Sequence, residues 1–251
     1  MLPFSHIFHR QTHKIRFVSR IDSLRAATAD SDIKPLYIHA HMHYNMGMNV
    51  KSVMDNSAKL SEILKNNNGF LKTSDVVAAG ISRAYLGGFV KSNRLERVAH
   101  GIYMAEDAWP DNLFVLQQRF PAAVFSHETA LYLLDMAERS PLKYSVTIKT
   151  GASATSLIKS GAKVYKIKDS LYPLGITELK TDTGNKVVAY GAERTICDLI
   201  RSRSSVEIQE FQAAIRGYVR MKGKELSLLA QYAKLFHVEK ALRNYLDVLM
   251  P

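Results

Sequence analysis

The distribution of apolar residues between positions 60 and 104 predicts three short helices followed by a hairpin. Helical spacing is found in three successive sets: Leu60, Ile63 and Leu64; Val76, Val77 and Ala79; and Tyr85, Leu86, Phe89 and Val90. Residues 95–98 and 102–104 instead favour strands, joined by a turn at residues 99–101. This order is typical of a winged helix-turn-helix, in which the third helix enters the major groove and the hairpin lies along the DNA backbone.

Capping and turn residues support these boundaries. Thr73-Ser74-Asp75 is a capping sequence for the second helix, and Gly80 favours its end because glycine readily takes a positive φ. Ser82 is a good N-cap for the third helix. Gly101 fits the tight turn of the hairpin for the same conformational reason as Gly80.

The start of the third helix predicts base recognition. Ser82, Arg83, Ala84 and Tyr85 lie there, and an arginine can pair with guanine through two hydrogen bonds, worth roughly 1–3 kcal/mol of discrimination. Basic and hydroxyl residues elsewhere in the unit suit phosphate contacts. The predicted DNA-contacting residues are Thr73, Ser74, Ser82, Arg83, Tyr85, Lys91, Arg94, Arg97 and His100. Singly, each also fits an ordinary capped helix with a solvated face; the joint pattern favours DNA.

Three segments of the chain carry a resemblance to a known family: residues 63–103 of the predicted DNA-reading unit, Ala123 to Leu131, and Gly191 to Ile200. Together they resemble abortive-infection antitoxins of the AbiEi type. The resemblance spans Asp55 to the C-terminus and does not extend before it. It implies a bacterial antitoxin of a type IV toxin-antitoxin system, active in phage defence. Such a protein represses its own promoter and counteracts a nucleotidyltransferase toxin, with or without direct contact.

The second half predicts a mixture of strands and helices. Candidate strands are residues 144–148 and 163–168, followed by a hairpin of residues 175–181 and 186–190. Four helices are predicted after it, at residues 193–203, 206–219, 226–234 and 238–249. The predicted fold class is therefore α+β. A winged helix-turn-helix at residues 54–105 precedes a mixed α/β antitoxin domain at 106–251, with a small sheet and a helical C-terminal end.

The segment Glu106 to Asp111 is predicted to link these two domains. We expect Trp109 to pack against the protein and Asp111 to cap the helix that follows. Ser126 is predicted to cap a later helix. Arg194 and Asp198 are expected to pair on a helix surface, at a spacing of four residues.

Composition adds constraints on partners and compartment. The 251-residue chain has a formal net charge of +11, which favours a polyanionic partner such as double-stranded DNA. Its single cysteine, Cys197, excludes an intrachain disulfide and fits a reducing cytoplasm, where a buried structural thiol is expected. No apolar run approaches the ~20 residues that span a membrane. No cofactor motif is present.

Residues 1–53 have a different character from the rest of the chain. They are rich in histidine and carry more cations than acids. We expect a disordered extension or a wrongly assigned start, with Met54 as the true start. His39, His41 and His43 alternate and could line one face of a strand as metal ligands, but a disordered extension with incidental histidines is the favoured interpretation.

Two further interpretations remain open alongside the regulator, which is not expected to be an enzyme. Asp169, Glu178 and Lys180 faintly resemble the Mg²⁺ site of restriction-type nucleases, which needs two converging carboxylates and a lysine.

The triplet Ser126-His127-Glu128 is better interpreted as a helix cap than as a catalytic relay, because neighbouring helical residues point in different directions. The remaining alternative is a protein-interaction module that does not bind DNA.

Overall fold

The computed structural model describes residues 55–137 and 139–249. The expectations about residues 1–53, including the alternating histidines, lie outside this part of the chain. The chain is divided into two compact units with the boundary between Lys59 and Leu60, and the second unit begins at Leu60. Its architecture is a mixed α+β fold of helices and small sheets, as the hydrophobic pattern predicted.

The first part of the described chain contains three helices and a small sheet. The helices are α1 (residues 55–66), α2 (Thr73–Ala78) and α3 (Arg83–Ser92). The strands are β1 (Phe70–Lys72), β2 (Glu96–Ala99) and β3 (Ile102–Met104), paired antiparallel in the order β1-β3-β2. Leu60, Leu71, Val76, Leu86 and Phe89 are buried in one apolar cluster that holds the helices together.

The turn between α2 and α3 follows the sequence signals closely. Gly80 has φ +76°. Its N–H donates to the carbonyl of Val77 at 2.9 Å, and the N–H of Ile81 donates to Val76 at 3.1 Å, which satisfies the last carbonyls of α2. Ser82 caps α3, since its hydroxyl accepts from the N–H of Tyr85 at 3.2 Å. Both predicted features are confirmed.

The start of α2 differs from the prediction. Lys72 is the N-cap residue, and no side chain caps the helix. Thr73 is the first helical residue, and its N–H donates to the carbonyl of Gly101 at 2.8 Å. The hairpin therefore accepts a hydrogen bond that a capping side chain could otherwise accept. The predicted Thr73-Ser74-Asp75 cap is therefore wrong.

A five-stranded mixed sheet organises the rest of the chain, in the order β6-β5-β4-β8-β7. The strands are β4 (Val124–Phe125), β5 (Ser145–Lys149), β6 (Lys163–Ile167), β7 (Ile176–Lys180) and β8 (Lys186–Tyr190). β5 pairs parallel with β6 and β4 parallel with β8, whereas β4–β5 and β7–β8 are antiparallel. The predicted hairpin is thus confirmed as β7–β8.

Helices cover this sheet and form the C-terminal end. They are α4 (Asn112–Arg119), α5 (His127–Leu133), α6 (Thr155–Lys159), α7 (Ala192–Arg201), α8 (Ile208–Arg220), α9 (Leu226–Leu235) and α10 (Glu239–Leu249). The last four match the predicted helices to within a few residues. α7 lies in the largest apolar cluster, with Ile196, Cys197 and Leu199 fully buried. Burial raises the pKa of the Cys197 thiol to about 12, as expected of a structural cysteine.

The small sheet and the large sheet share a second apolar cluster. Phe70 and Met104 are buried with Phe114, Phe125 and Val187, and the rings of Phe70 and Phe114 lie 5.0 Å apart. Residues on both sides of position 105 therefore pack into one core. The division of function at that position stays a prediction.

Polar groups also tie the connecting segment to the β7–β8 turn. Asp111 caps α4 as predicted, accepting from the N–H of Phe114 at 2.8 Å. Its second oxygen accepts from Thr181 at 2.6 Å, from Asn185 at 2.9 Å and from Thr183. Trp109 does not pack against the protein as predicted: it is 79% exposed, because the neighbouring Asp111, not the indole, anchors the segment.

Candidate nucleic-acid interface

Helix α3 presents one open face. Leu86 and Phe89 are buried against α1 and α2, while Ser82, Arg83, Ala84, Gly87, Gly88 and Lys91 are exposed. The helix contains no acidic residue and begins with the Ser82 cap. Its first turn therefore offers Arg83 to solvent on a rigid scaffold, whereas Tyr85 is half-buried beside the apolar cluster.

The cations around this face are exposed. Arg83 and Lys91 lie at opposite ends of α3, and neither forms an ion pair among the described residues. Arg94 follows the helix with φ +51°, a left-handed conformation that turns the chain into the hairpin. The side chains can therefore reach a phosphate without first breaking an ion pair.

The hairpin carries two more of the predicted residues. Arg97 is exposed on β2 and its Nε donates to the carbonyl of Ala99 at 3.4 Å. His100 is exposed in the turn, beside Gly101 with φ +70°. A Cβ on Gly101 would lie 3.3 Å from the hydroxyl of Thr73, so the tip of the hairpin packs closely on the start of α2.

This packing limits what Thr73 and Ser74 can offer. The N–H of Thr73 is already bonded to Gly101, and the hydroxyl of Ser74 donates to Asp75 at 3.1 Å. Asp75 also lies 3.4 Å from Lys72. A carboxylate in the first turn of α2 opposes a phosphate there, and the Ser74 proton is already donated to Asp75, so the Thr73 hydroxyl remains as the candidate donor.

Two glycines on α3 were missed by the sequence interpretation. Gly87 and Gly88 are in the interior of the helix, where glycine costs about 1 kcal/mol relative to alanine. A Cβ at either position would meet nothing within 4 Å, so the fold does not require them. Glycine in an exposed helix leaves room for another molecule to approach the backbone.

The predicted nuclease constellation is not brought together. Asp169 follows β6 and Glu178 lies on β7, at opposite edges of the five-stranded sheet. Three strands separate them, a distance of roughly 19 Å at the usual strand spacing. Asp169 pairs with Lys149 at 3.6 Å and Glu178 with Lys186 at 2.7 Å. Within the described ranges, no group of three or more acids, histidines and cysteines could hold a metal ion.

The Ser126-His127-Glu128 triplet lies in a buried polar network. The Ser126 hydroxyl does not cap α5; it accepts from Thr147 at 2.9 Å and lies 3.0 Å from His127 Nδ1. His127 Nε2 lies 3.1 Å from the hydroxyl of Ser202. Glu128 instead accepts from Lys163 at 2.8 Å. Ser126 and His127 are fully buried, so no substrate can reach the hydroxyl.

The Arg194–Asp198 pair is not on the surface as predicted. Both side chains are fully buried, and Arg194 Nε donates to Asp198 at 2.9 Å. Arg194 Nη1 donates to the carbonyls of Leu171 and Leu174, each at 2.7 Å. The pair is therefore an internal junction between α7 and the loop before β7.

Comparison with known proteins supports the resemblance in one segment. Residues 59–105 match the model of a family described as "Transcriptional regulator, AbiEi antitoxin". The predicted resemblance to AbiEi-type antitoxins is confirmed for this segment, which contains α2, α3 and the β2–β3 hairpin. Its extension to the two later segments stays a prediction.

Other comparisons add little to this match. No curated protein matches the chain. Among solved structures, the crystal structure of the RV2827C protein from Mycobacterium tuberculosis is similar with a TM-score of 0.44 and 13% identity, over 76% of this chain and 78% of that chain. In residues 55–137 and 139–249, no helix has the length and apolar character needed to cross a membrane.

Proposed function

We propose that this chain is a DNA-binding transcriptional repressor and antitoxin, and that residues 55–105 are a winged helix-turn-helix. The observation that carries the proposal is the open face of α3, with Arg83 exposed at its start, in the segment that matches a family of transcriptional regulators. In this assignment α3 lies in the major groove and the β2–β3 hairpin lies along the backbone.

The division of labour among the side chains follows from their positions. Arg83, in the first turn of α3, reads a base edge, together with Ser82 and Tyr85. Lys91, Arg94, Arg97 and His100, at the helix end and hairpin, contact phosphates, which position the protein without specifying sequence. The net charge of +11 supports the approach to a polyanion.

The antitoxin role rests on the family resemblance. We propose that the protein acts on its own promoter and counteracts a nucleotidyltransferase toxin encoded with it. The part of the chain after residue 105 is assigned to toxin rescue. The protein has no catalytic activity of its own in this proposal.

An electrophoretic mobility shift with the protein's own upstream region tests the proposal directly. We expect a discrete complex on that DNA and only salt-sensitive, weaker binding on a random duplex of the same length. Arg83→Ala should reduce the difference in affinity between the two DNAs. If neither DNA is bound at low salt, the chain is a protein-interaction module.

A further inference from the structure

The outer edge of β7 has no partner strand in the part of the chain that the structure describes. Hydrogen bonds at both ends of the β7–β8 hairpin fix which residues face β8. The N–H of Gly191 donates to Gly175, and the N–H of Thr181 donates to Asn185, each at 2.9 Å. In an antiparallel pair, every second residue directs its backbone N–H and C=O groups toward the partner strand. Thr177 and Leu179 therefore direct theirs toward β8, as Gly175 and Thr181 do.

Glu178 and Lys180 therefore direct their N–H and C=O groups away from the sheet. The N–H of Ile176, at the start of the same edge, donates to the carbonyl of Pro173 at 3.5 Å. The side chains of Glu178 and Lys180 are exposed and lie on one face of the strand, two residues apart. A row of open backbone groups flanked by one acid and one base is the result.

We propose that this edge pairs with the same edge of a second copy of the chain, antiparallel and centred on Leu179. In this register Glu178 of each copy lies opposite Lys180 of the other, and the twofold symmetry produces this pair twice. Each pair exchanges two backbone hydrogen bonds and places a carboxylate beside an ammonium.

Neighbouring registers are disfavoured by charge. Centring the pairing on Glu178 sets two carboxylates opposite each other, and centring it on Lys180 sets two ammonium groups opposite each other. The other outer strand, β6, lacks this property, because its charged residues are Lys163 and Lys166 with no acid between them. Self-complementarity is thus a feature of β7 and of one register.

The local environment of Glu178 permits the additional contact. Its carboxylate lies 2.7 Å from Lys186, but the two side chains remain 57% and 67% exposed. A second ammonium can therefore approach from the open edge. A single five-residue strand buries much less than the ~1,200 Å² of a stable interface, so the association is weak, with a dissociation constant roughly between micromolar and millimolar.

Sedimentation velocity with charge-reversed variants tests the proposal. The wild-type protein should shift from monomer to dimer as its concentration rises from about 10 to about 500 μM. Glu178→Lys and Lys180→Glu, each alone, place like charges opposite each other and should weaken association about tenfold or more. An equimolar mixture of the two variants should associate again, because each acid then faces a base. The double variant Glu178→Lys/Lys180→Glu should associate by itself, because each acid again faces a base in the same register.

Lys166→Glu on β6 is the matched control, since it changes net charge as Lys180→Glu does but should leave association unchanged. Circular dichroism checks that every variant is folded. A protein that stays monomeric at all these concentrations, or a dimer that neither single reversal weakens, would overturn the proposal. The result does not depend on DNA binding, because β7 lies outside residues 59–105.

Discussion

Arg194 and Asp198 form an ion pair inside the protein, four residues apart on α7 and with neither side chain exposed. The guanidinium also lies over the rings of Tyr190 and Phe236, at 4.1 and 4.2 Å from their centroids. Gly175 packs against the base of the Arg194 side chain, since a Cβ on Gly175 would lie 2.6 Å from Arg194 Cβ. The pair thereby joins α7 to α9 and to the loop before β7.

Removing one partner of this pair should be strongly destabilising. Asp198→Ala leaves a buried guanidinium without its carboxylate, which costs about 3–5 kcal/mol. We expect urea unfolding to show a loss of this size. Lys59→Ala is the control at the same spacing: the Asp55–Lys59 pair is also four residues apart at 2.7 Å, but both side chains are largely exposed, so a few tenths of a kcal/mol is expected. Equal losses would contradict the buried junction.

Stability should fall in mild acid because of His127. Burial, followed by nearby Arg201, Lys163 and Arg194, holds the pKa of His127 well below its ordinary 6.5. The unfolded chain takes up this proton near pH 6.5 and the folded chain does not, so the free energy of unfolding is highest above that pH. It should decrease as pH falls through 6.5 toward the folded pKa, by up to about 1.4 kcal/mol per pH unit.

The variant His127→Asn isolates this effect. Asparagine tolerates the φ of +49° found at this position and does not titrate. Unfolding in urea at about pH 7.5 and about pH 5.5 should show a smaller loss for the variant than for wild type. If both proteins lose the same stability, groups other than His127 carry the acid sensitivity.

DNA contacts should separate into two kinds. Arg83→Ala is expected to cost about 1–3 kcal/mol on the operator and little on random DNA, because it removes a base contact. Lys91→Ala and Arg97→Ala should weaken both DNAs alike and reduce the salt slope by about one unit each. Fluorescence anisotropy at several salt concentrations measures all three. Equal losses for Arg83→Ala on both DNAs would make it a phosphate contact.

Replacing an exposed glycine on α3 should increase the stability of the fold and decrease the affinity for the operator. Gly87→Ala should stabilise the protein by about 0.5–1 kcal/mol, because alanine favours the helix and its Cβ meets no atom. Gly87 is one turn from Arg83, so the added methyl should also weaken operator binding. Thermal unfolding and anisotropy measure the two effects, and Ser92→Ala at the end of α3 is the control for binding. Unchanged operator affinity would separate Gly87 from the proposed interface.

Repression and toxin rescue should be separable at the hairpin tip. Gly101→Val places a branched side chain at φ +70°, close to the Thr73 hydroxyl, and should distort the tip. We expect the variant to lose operator repression but to rescue cells when toxin is expressed from an unrelated promoter. If a folded variant loses both activities, rescue depends on DNA binding itself.

Local signals predicted most elements of residues 59–105 well. Gly80, Ser82 and Gly101 each act through their own backbone or through a neighbour within five residues, so their roles can be derived from sequence. Short strands could not be predicted in this way. β1 and β4 have three and two residues and exist only through pairing with distant strands.

The buried polar residues were harder to interpret for a related reason. Arg194 has the spacing of a surface ion pair, and its burial depends on carbonyls of Leu171 and Leu174, more than 19 residues away. The Ser126 hydroxyl is likewise taken by Thr147 rather than by its own helix. At the candidate interface, the bond from Thr73 to Gly101 crosses from helix to hairpin, which no local pattern indicates.

The apolar cluster shared by the two sheets would couple the proposed DNA binding at the hairpin to the stability of α4 and β8. Phe70, Ile102 and Met104 belong to the small sheet but are buried with residues of α4 and β8. A ligand that holds the hairpin in place therefore opposes the opening of that cluster as well, with a free energy set by its concentration relative to its dissociation constant. Amide protons of α4 and β8, which both lie outside the hairpin, would exchange more slowly on the operator. Occupancy of the promoter would then make the remainder of the chain more resistant to proteolysis.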